Sequence, residues 1–293
     1  MNSKTNKSKT NKSHRPVIII GAGRSGTNML RDLLVQLPGL TTWPCDEINY
    51  IWRYGNRSFP TDEFTRNMAD PAAVAYIRRQ FAKLSSDEII VEKTCANSLR
   101  CGFVREVFPE ARFIHIVRDG RDVAASASLR WNAELDIPYI LKKARYVPFR
   151  DVPYYGFKYV NSRIYRMFSG KTRLSTWGPR FQGIHDIFQE YELPVGCAVQ
   201  WKKCVESSRT QLEDLPSDQL LTIRYESFTK NPIEEFRSVC DFIDATYTDS
   251  DLKQLTAGVS NRSVGKWESQ LTESQVSTIT NLTGELLSNL GYC

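Results

Sequence analysis

An α/β fold, with a central parallel sheet flanked by helices in three layers, is predicted by three observations. Short β-branched runs alternate with stretches of helical period, the signature of strand–helix–strand crossovers. The runs are almost wholly apolar, as strands covered on both faces must be. The glycine-rich and charged motifs fall where these runs stop, at the carboxyl edge where open α/β sheets bind their ligands.

Val17–Gly21 (VIIIG) reads as the first buried strand. From Thr27 the period turns helical, with Met29, Leu30, Leu33, Leu34 and Leu37 on one stripe until Pro38-Gly39 stops it. Glu88–Glu92 (EIIVE), Ala111–Val117 (ARFIHIV) and Leu220–Tyr225 (LLTIRY) supply three more strands. Helical patterns occupy Pro71–Leu84, Ser98–Val107, Arg121–Trp131, Cys197–Leu212 and Ile233–Phe242. The chain has 293 residues, which suits one α/β core with insertions. Residues 1–15 form a polar, basic tail expected to be disordered. Residues 16–293 form a single domain with a helical insertion at about 133–192.

The net charge of +6 is mostly a property of the tail, whose four Lys and one Arg stand without any acid. It does not by itself imply a nucleic-acid partner, and none is expected. A second basic region runs from Leu141 to Arg180, with ten Lys or Arg against one acid, Asp151. It is rich in aromatic residues, among them Tyr146, Phe149, Tyr154 and Trp177. Its charge and rings suit an anionic glycan, a lipid headgroup or a membrane surface; an amphipathic helical insertion with solvated cations would look the same. Seven cysteines without a CxxC pair fit neither a disulfide framework nor a zinc site, so a reducing, cytoplasmic setting is expected. No apolar run approaches the length of a bilayer span, and the N-terminal stretch has no apolar signal core.

Between the first strand and its helix lies GAGRSGTNML. Gly21 and Gly26 have the spacing of a phosphate-binding GxxxxGK[ST] loop, but Thr27 stands at the lysine position and Asn28 at the magnesium-binding hydroxyl. Glycines let backbone N–H groups converge on an anion, and the following helix presents its positive end. Arg24 adds a guanidinium fork. Such a loop suits an anhydride of lower charge than a Mg-triphosphate and needs no metal. A second anion site is expected in FIHIVRDGRDVAASAS. Arg118 ends the strand there, Asp119 can cap the helix, and Ser126 lies about two turns in.

Together these two segments resemble the cofactor segments of the sulfotransferase superfamily, in the style of its carbohydrate and protein-tyrosine members and bacterial relatives. The similarity extends through VEKTCANSLRCGFVREVFPEARF, LTIRYESFTKNPIEEF, NRSVGKWES and TGELLSNLGY, and is weakest over 133–192. The resemblance implies a P-loop-like fold and transfer of a sulfuryl group from 3′-phosphoadenosine 5′-phosphosulfate (PAPS) to an acceptor hydroxyl, of a carbohydrate or glycolipid, without a metal. It places the 5′-phosphosulfate on Arg24, Ser25, Gly26, Thr27 and Asn28, with Arg24 also catalytic, and the 3′-phosphate on Arg118 and Ser126. Tyr225 would lie near the 3′-phosphate and adenine. Ser263 and Lys266 would contact phosphate from a loop that folds over the nucleotide, with Trp267 beneath it.

Sulfuryl transfer needs a base for the acceptor proton. Cytosolic members of the superfamily carry a histidine after a Lys-Thr pair; here Lys93-Thr94 is followed by Cys95. His14 is in the tail, His115 sits mid-strand as a core residue, and His185 lies in the insertion, so a carboxylate is the better candidate. WPCDEINYIW offers Glu47, with Asp46 in reserve, in an aromatic setting that could tune a carboxylate. The resemblance implies that Lys93 assists the leaving phosphate, whose growing charge an ammonium stabilises; a purely structural pairing with Glu92 is the alternative. Two other readings stay open. A P-loop-type small-molecule kinase would require magnesium and ATP, and a non-catalytic binder of anionic polymer would rely on the basic segment alone.

Overall fold

The computed structural model describes residues 15–85, 87–131, 145–154 and 178–292. Most of the basic segment Leu141–Arg180, and the tail up to residue 14, lie outside the described residues. In chain order the first part contains β1 (Val17–Ile20), α1 (Thr27–Leu34), β2 (Leu40–Thr41), α2 (Asn49–Trp52), α3 (Pro71–Leu84), β3 (Ile89–Lys93), α4 (Cys101–Val107), β4 (Arg112–Val117) and α5 (Gly120–Trp131). The second contains α6 (Ile184–Glu190), α7 (Leu193–Leu212), β5 (Leu220–Arg224), α8 (Tyr225–Lys230), α9 (Pro232–Phe242), α10 (Asp249–Thr256), α11 (Trp267–Gln270) and α12 (Glu273–Asn289).

The sheet has five parallel strands in the order β2-β3-β1-β4-β5. β1 is central, and all four of its residues are buried. Because strand side chains alternate between faces, Ile18, Ile20 and Phe113 point to one side, where they meet Ile77 and Phe81 of α3 and Phe103 and Val104 of α4. Val17, Ile19 and Ile114 point to the other, against Leu30 and Leu34 of α1 and Phe236 and Val239 of α9. These three layers are the architecture expected from the sequence.

Local chemistry sets the element ends. α3 begins where Asp70 Oδ1 accepts the Ala73 N–H at 2.8 Å, with Pro71 in the first turn. α5 and α7 approach closely because Gly120 has no side chain; a Cβ there would lie 2.4 Å from the Trp201 ring. Two details differ from the sequence reading. The edge strand β2 went unforeseen, because two residues carry no period; it forms after Gly39 takes φ +77° and Leu40 pairs with Ile89. The fourth predicted strand ends at Arg224, and Tyr225 opens a helix instead of closing a strand.

The register brings the carboxyl ends of β1, β3 and β4 to one edge: Ile19 is level with Lys93, and Ile20 with His115. The glycine loop, Lys93 and Arg118 therefore leave the sheet side by side. No helix among the described residues is long and apolar enough to cross a membrane.

Candidate active site

The glycine loop is pressed against its neighbours. Arg24 (φ +74°) and Gly26 (φ +92°) both take left-handed backbone conformations. For Arg24 this is uncommon and strained, a feature that clusters at ligand-binding turns. A Cβ on Gly26 would sit 2.5 Å from the Tyr225 ring, and one on Gly21 would sit 2.8 Å from the Ile116 carbonyl oxygen. Ser25 is buried, and its Oγ has no hydrogen-bond partner among the described residues. A buried hydroxyl without a partner is costly, and an anion oxygen bound at this loop would offer it an acceptor. Thr27 is buried at the start of α1, and Asn28 beside it is exposed.

The segment that follows β4 meets the glycine loop. Arg118 Nη1 donates to the Arg24 carbonyl at 2.9 Å, and its Nη2 donates to the Ser263 carbonyl. Its guanidinium stacks 4.4 Å from the Tyr225 ring centroid, while its buried Nε has no partner among the described residues. Arg24 Nε donates to Ser126 Oγ at 3.0 Å. The eight-residue gap between Arg118 and Ser126 is closed because α5 passes beside the loop. Burial, and then the like charges of Arg130 and Arg118, hold the Arg24 pKa below the ordinary arginine value. An anion would relieve that repulsion.

A third segment, residues 261–267, completes this edge. Tyr225 Oη and Ser263 Oγ are 2.7 Å apart. The Arg121 guanidinium lies 4.2 Å from the Trp267 ring centroid, and Lys266 is exposed. An open cleft of about 420 Å³ is lined by Met29, Leu33, Tyr225, Val259, Ser263 and Lys266. The buried Asp122, unnoticed in the sequence, takes the Gly265 and Trp267 N–H groups at 2.8 and 3.0 Å. An acid inside a basic motif gives no signal of its own; only the contact reveals it.

At the end of β3, Lys93 Nζ lies 3.1 Å from Glu47 Oε1, which also accepts the Cys95 N–H at 3.3 Å. Burial opposes the Lys93 charge, but the Glu47 carboxylate beside it prevails and holds the ammonium above the ordinary lysine pKa. Cys95, next after Lys93-Thr94, is a neutral thiol: burial and the Glu47 charge push its pKa up to about 12. Its Sγ lies 3.9 Å from Thr27 Oγ1, tying this pair to the glycine loop.

The other candidates lie apart from it. Asp46 pairs with Arg31 at 3.4 Å. Glu92 faces the opposite side of β3 from Lys93 and accepts from Thr94 Oγ1 and Asn97 Nδ2 at 2.6 and 2.9 Å, so the Lys93–Glu92 pairing weighed from sequence does not form. Trp43 and Trp52, two of the rings expected around Glu47, pack in the core against Phe81. His115 is buried beside Ser208 Oγ at 3.0 Å, and burial lowers its pKa to about 4. His185 is exposed on α6. No group of His, Cys, Asp or Glu among the described residues could hold a metal ion.

A search of curated proteins finds no match. The fold is similar to the sulfotransferase domain from the curacin biosynthetic pathway, at 14% identity and TM-score 0.54 over 95% of this chain and 98% of that one. It is similar also to sulfotransferase STF9 from Mycobacterium avium, at 14% identity and TM-score 0.53 over 94% and 76%. Mouse sulfotransferase SULT7A1, whose structure was determined complexed with PAP, gives 14% identity and TM-score 0.52 over 94% and 85%. The model of the sulfotransferase family matches residues 16–144 and 160–249, most of the chain and all three strand ends that build the site, and the chain belongs to that family.

Proposed function

We propose that this protein transfers a sulfuryl group from PAPS to the hydroxyl of a carbohydrate or glycolipid. The observation that carries the reading is the meeting of two cationic loops, through Arg24, Ser126 and Arg118, beside a Glu47–Lys93 pair on the next strand. The unpartnered Ser25 Oγ and Arg118 Nε supply donors suited to the two phosphate ends of the nucleotide. Arg24, Ser25, Gly26, Thr27 and Asn28 take the 5′-phosphosulfate, and Arg118 and Ser126 the 3′-phosphate. Tyr225, Ser263 and Lys266 line the nucleoside cleft. That PAP occupies the SULT7A1 structure supports the same nucleotide here.

Glu47 accepts the proton of the acceptor hydroxyl while the acceptor oxygen bonds to sulfur. The bond from sulfur to the bridging oxygen breaks, and its electron pair stays on the 5′-phosphate, which leaves as PAP. Lys93 and Arg24 stabilise the charge that grows there. In the free enzyme Lys93 is held by Glu47; once Glu47 takes up the proton, the ammonium is released toward the leaving oxygen. No metal enters this scheme.

The acceptor side is assigned to the insertion at about 133–192, within one domain spanning 16–293 that follows the basic tail. In its described part Phe149 is 92% exposed next to Arg150, which supports contact with an anionic glycan or a membrane surface. A cytoplasmic setting and the absence of a nucleic-acid partner belong to the same reading. Calorimetric titration with PAP and with Mg-ATP tests it. PAP should bind tightly without divalent metal; equal or tighter binding of Mg-ATP would favour the kinase reading.

A further inference from the structure

A carboxylate is buried in the middle of a site otherwise furnished for anions. Asp122, its side chain 1% exposed, lies in the first turn of α5, and its Oδ2 is 3.8 Å from Arg118 Nη2. By charge alone it opposes a phosphate at Arg118, and its removal would tighten phosphate binding. Its geometry says otherwise. Oδ2 accepts the Gly265 N–H at 2.8 Å and Oδ1 the Trp267 N–H at 3.0 Å, so each oxygen is committed to one backbone amide of the same short loop.

The loop's other tethers run through the groups a 3′-phosphate would recruit. The Ser263 carbonyl sits on Arg118 Nη2, and the Ser263 hydroxyl on Tyr225. Both terminal nitrogens of Arg118 are engaged by backbone carbonyls. A phosphate at this guanidinium has the Nε, unpartnered among the described residues, to bind, and a shift of the group toward it would loosen the Ser263 tether. The two amide bonds to Asp122 need not be exchanged. We propose that Asp122 is a positioning residue, holding residues 261–267 so that Ser263 and Lys266 stay opposite Arg118. In this way it sets the preference for a nucleotide bearing a 3′-phosphate over one without. The inference rests on the PAPS reading above.

The test is titration of PAP and of adenosine 5′-monophosphate into the wild type and into Asp122→Asn, Gly265→Ala, Lys266→Met and the Asp122→Asn/Lys266→Met double variant. Asparagine keeps the shape but turns an NH₂ donor toward an N–H donor. PAP affinity in Asp122→Asn should fall about tenfold or more, in line with loss of a charged hydrogen bond, while adenosine 5′-monophosphate changes less than about twofold. Gly265 has φ +73° with nothing within 4 Å of a Cβ, so alanine there strains only the loop backbone. That variant should lose the same selectivity with its fold intact, and it decides the matter alone if Asp122→Asn does not fold.

Lys266→Met should weaken PAP in the wild type but add little in the Asp122→Asn background, because the loop is already released. Unchanged or tighter PAP binding by Asp122→Asn, equal losses for both nucleotides, or additive effects in the double variant would overturn the inference while leaving the PAPS reading in place. A wild type that does not prefer PAP to adenosine 5′-monophosphate would overturn both.

Discussion

At the scale of single residues, the proposed chemistry turns on Glu47. Glu47→Gln retains the shape but removes the proton acceptor, and turnover should fall roughly 10²–10⁴-fold, the usual worth of a general base. PAP affinity, read by titration, should hardly change. Because the Glu47 charge keeps the Lys93 ammonium above its ordinary pKa, the variant's Lys93 should lose its proton at lower pH, which moves any alkaline limb of the residual rate toward neutrality. Asp46→Asn should be milder, since Asp46 is occupied by Arg31 at 3.4 Å. An active Glu47→Gln beside an inactive Asp46→Asn would reverse the assignment. The sequence offered Glu47 first, with Asp46 in reserve; adjacent loop residues point in different directions, and the fold shows that Glu47 reaches the end of β3 while Asp46 meets Arg31.

At the scale of elements, the glycine loop and β3 each store a testable tension. Gly26→Ala must accept both a left-handed backbone and a Cβ 2.5 Å from Tyr225. Strain plus overpacking should cost about 2–5 kcal/mol of stability, and the displaced Tyr225 should weaken PAP; a thermal melt and a titration would report both. On β3, burial pushes the Glu92 carboxyl up to about 7, against the opposing hydrogen bond from Thr94. A carboxyl raised above its unfolded value of about 4.3 favours the fold fully below that value, and the contribution is lost as pH rises through about 7. The wild-type melting temperature should therefore decline from pH 5 to pH 8 relative to Glu92→Gln, and parallel profiles would contradict this. The strand itself was plain from EIIVE. That Glu92 turns inward while Lys93 turns toward the site follows from alternation along a strand, once the register is known.

For the whole molecule, one buried cluster joins distant parts of the chain. Asp62, 2% exposed, pairs with Arg53 at 2.7 Å, accepts the Arg180 N–H at 2.9 Å, and lies 3.7 Å from Arg100. The segment that closes the insertion is thereby pinned to the core. Burial would raise the Asp62 pKa, but Arg100 and Arg53 outweigh it and hold the carboxyl below its usual value. Its contribution is present above the unfolded pKa of about 4 and is lost as pH falls through the lower folded value. Asp62→Asn leaves buried guanidinium groups without their counter-ion and should cost about 3–5 kcal/mol, read by denaturant unfolding. PAP should raise the melting temperature of the wild type without divalent metal, because it binds only the folded state.

The sequence by itself determined the layered parallel sheet, the ends at which its motifs emerge, and the two motif segments that follow β1 and β4, because period and glycine placement are local properties that survive without tertiary contacts. The tertiary structure decided the rest. Strand order brought Lys93 beside the glycine loop, the path of α5 carried Ser126 to Arg24, and the fold turned Asp122 toward Gly265 and Trp267, 143 and 145 residues away along the chain. Such pairings rest on which backbone surfaces meet, and no periodicity along a single chain encodes the partner of a buried charge.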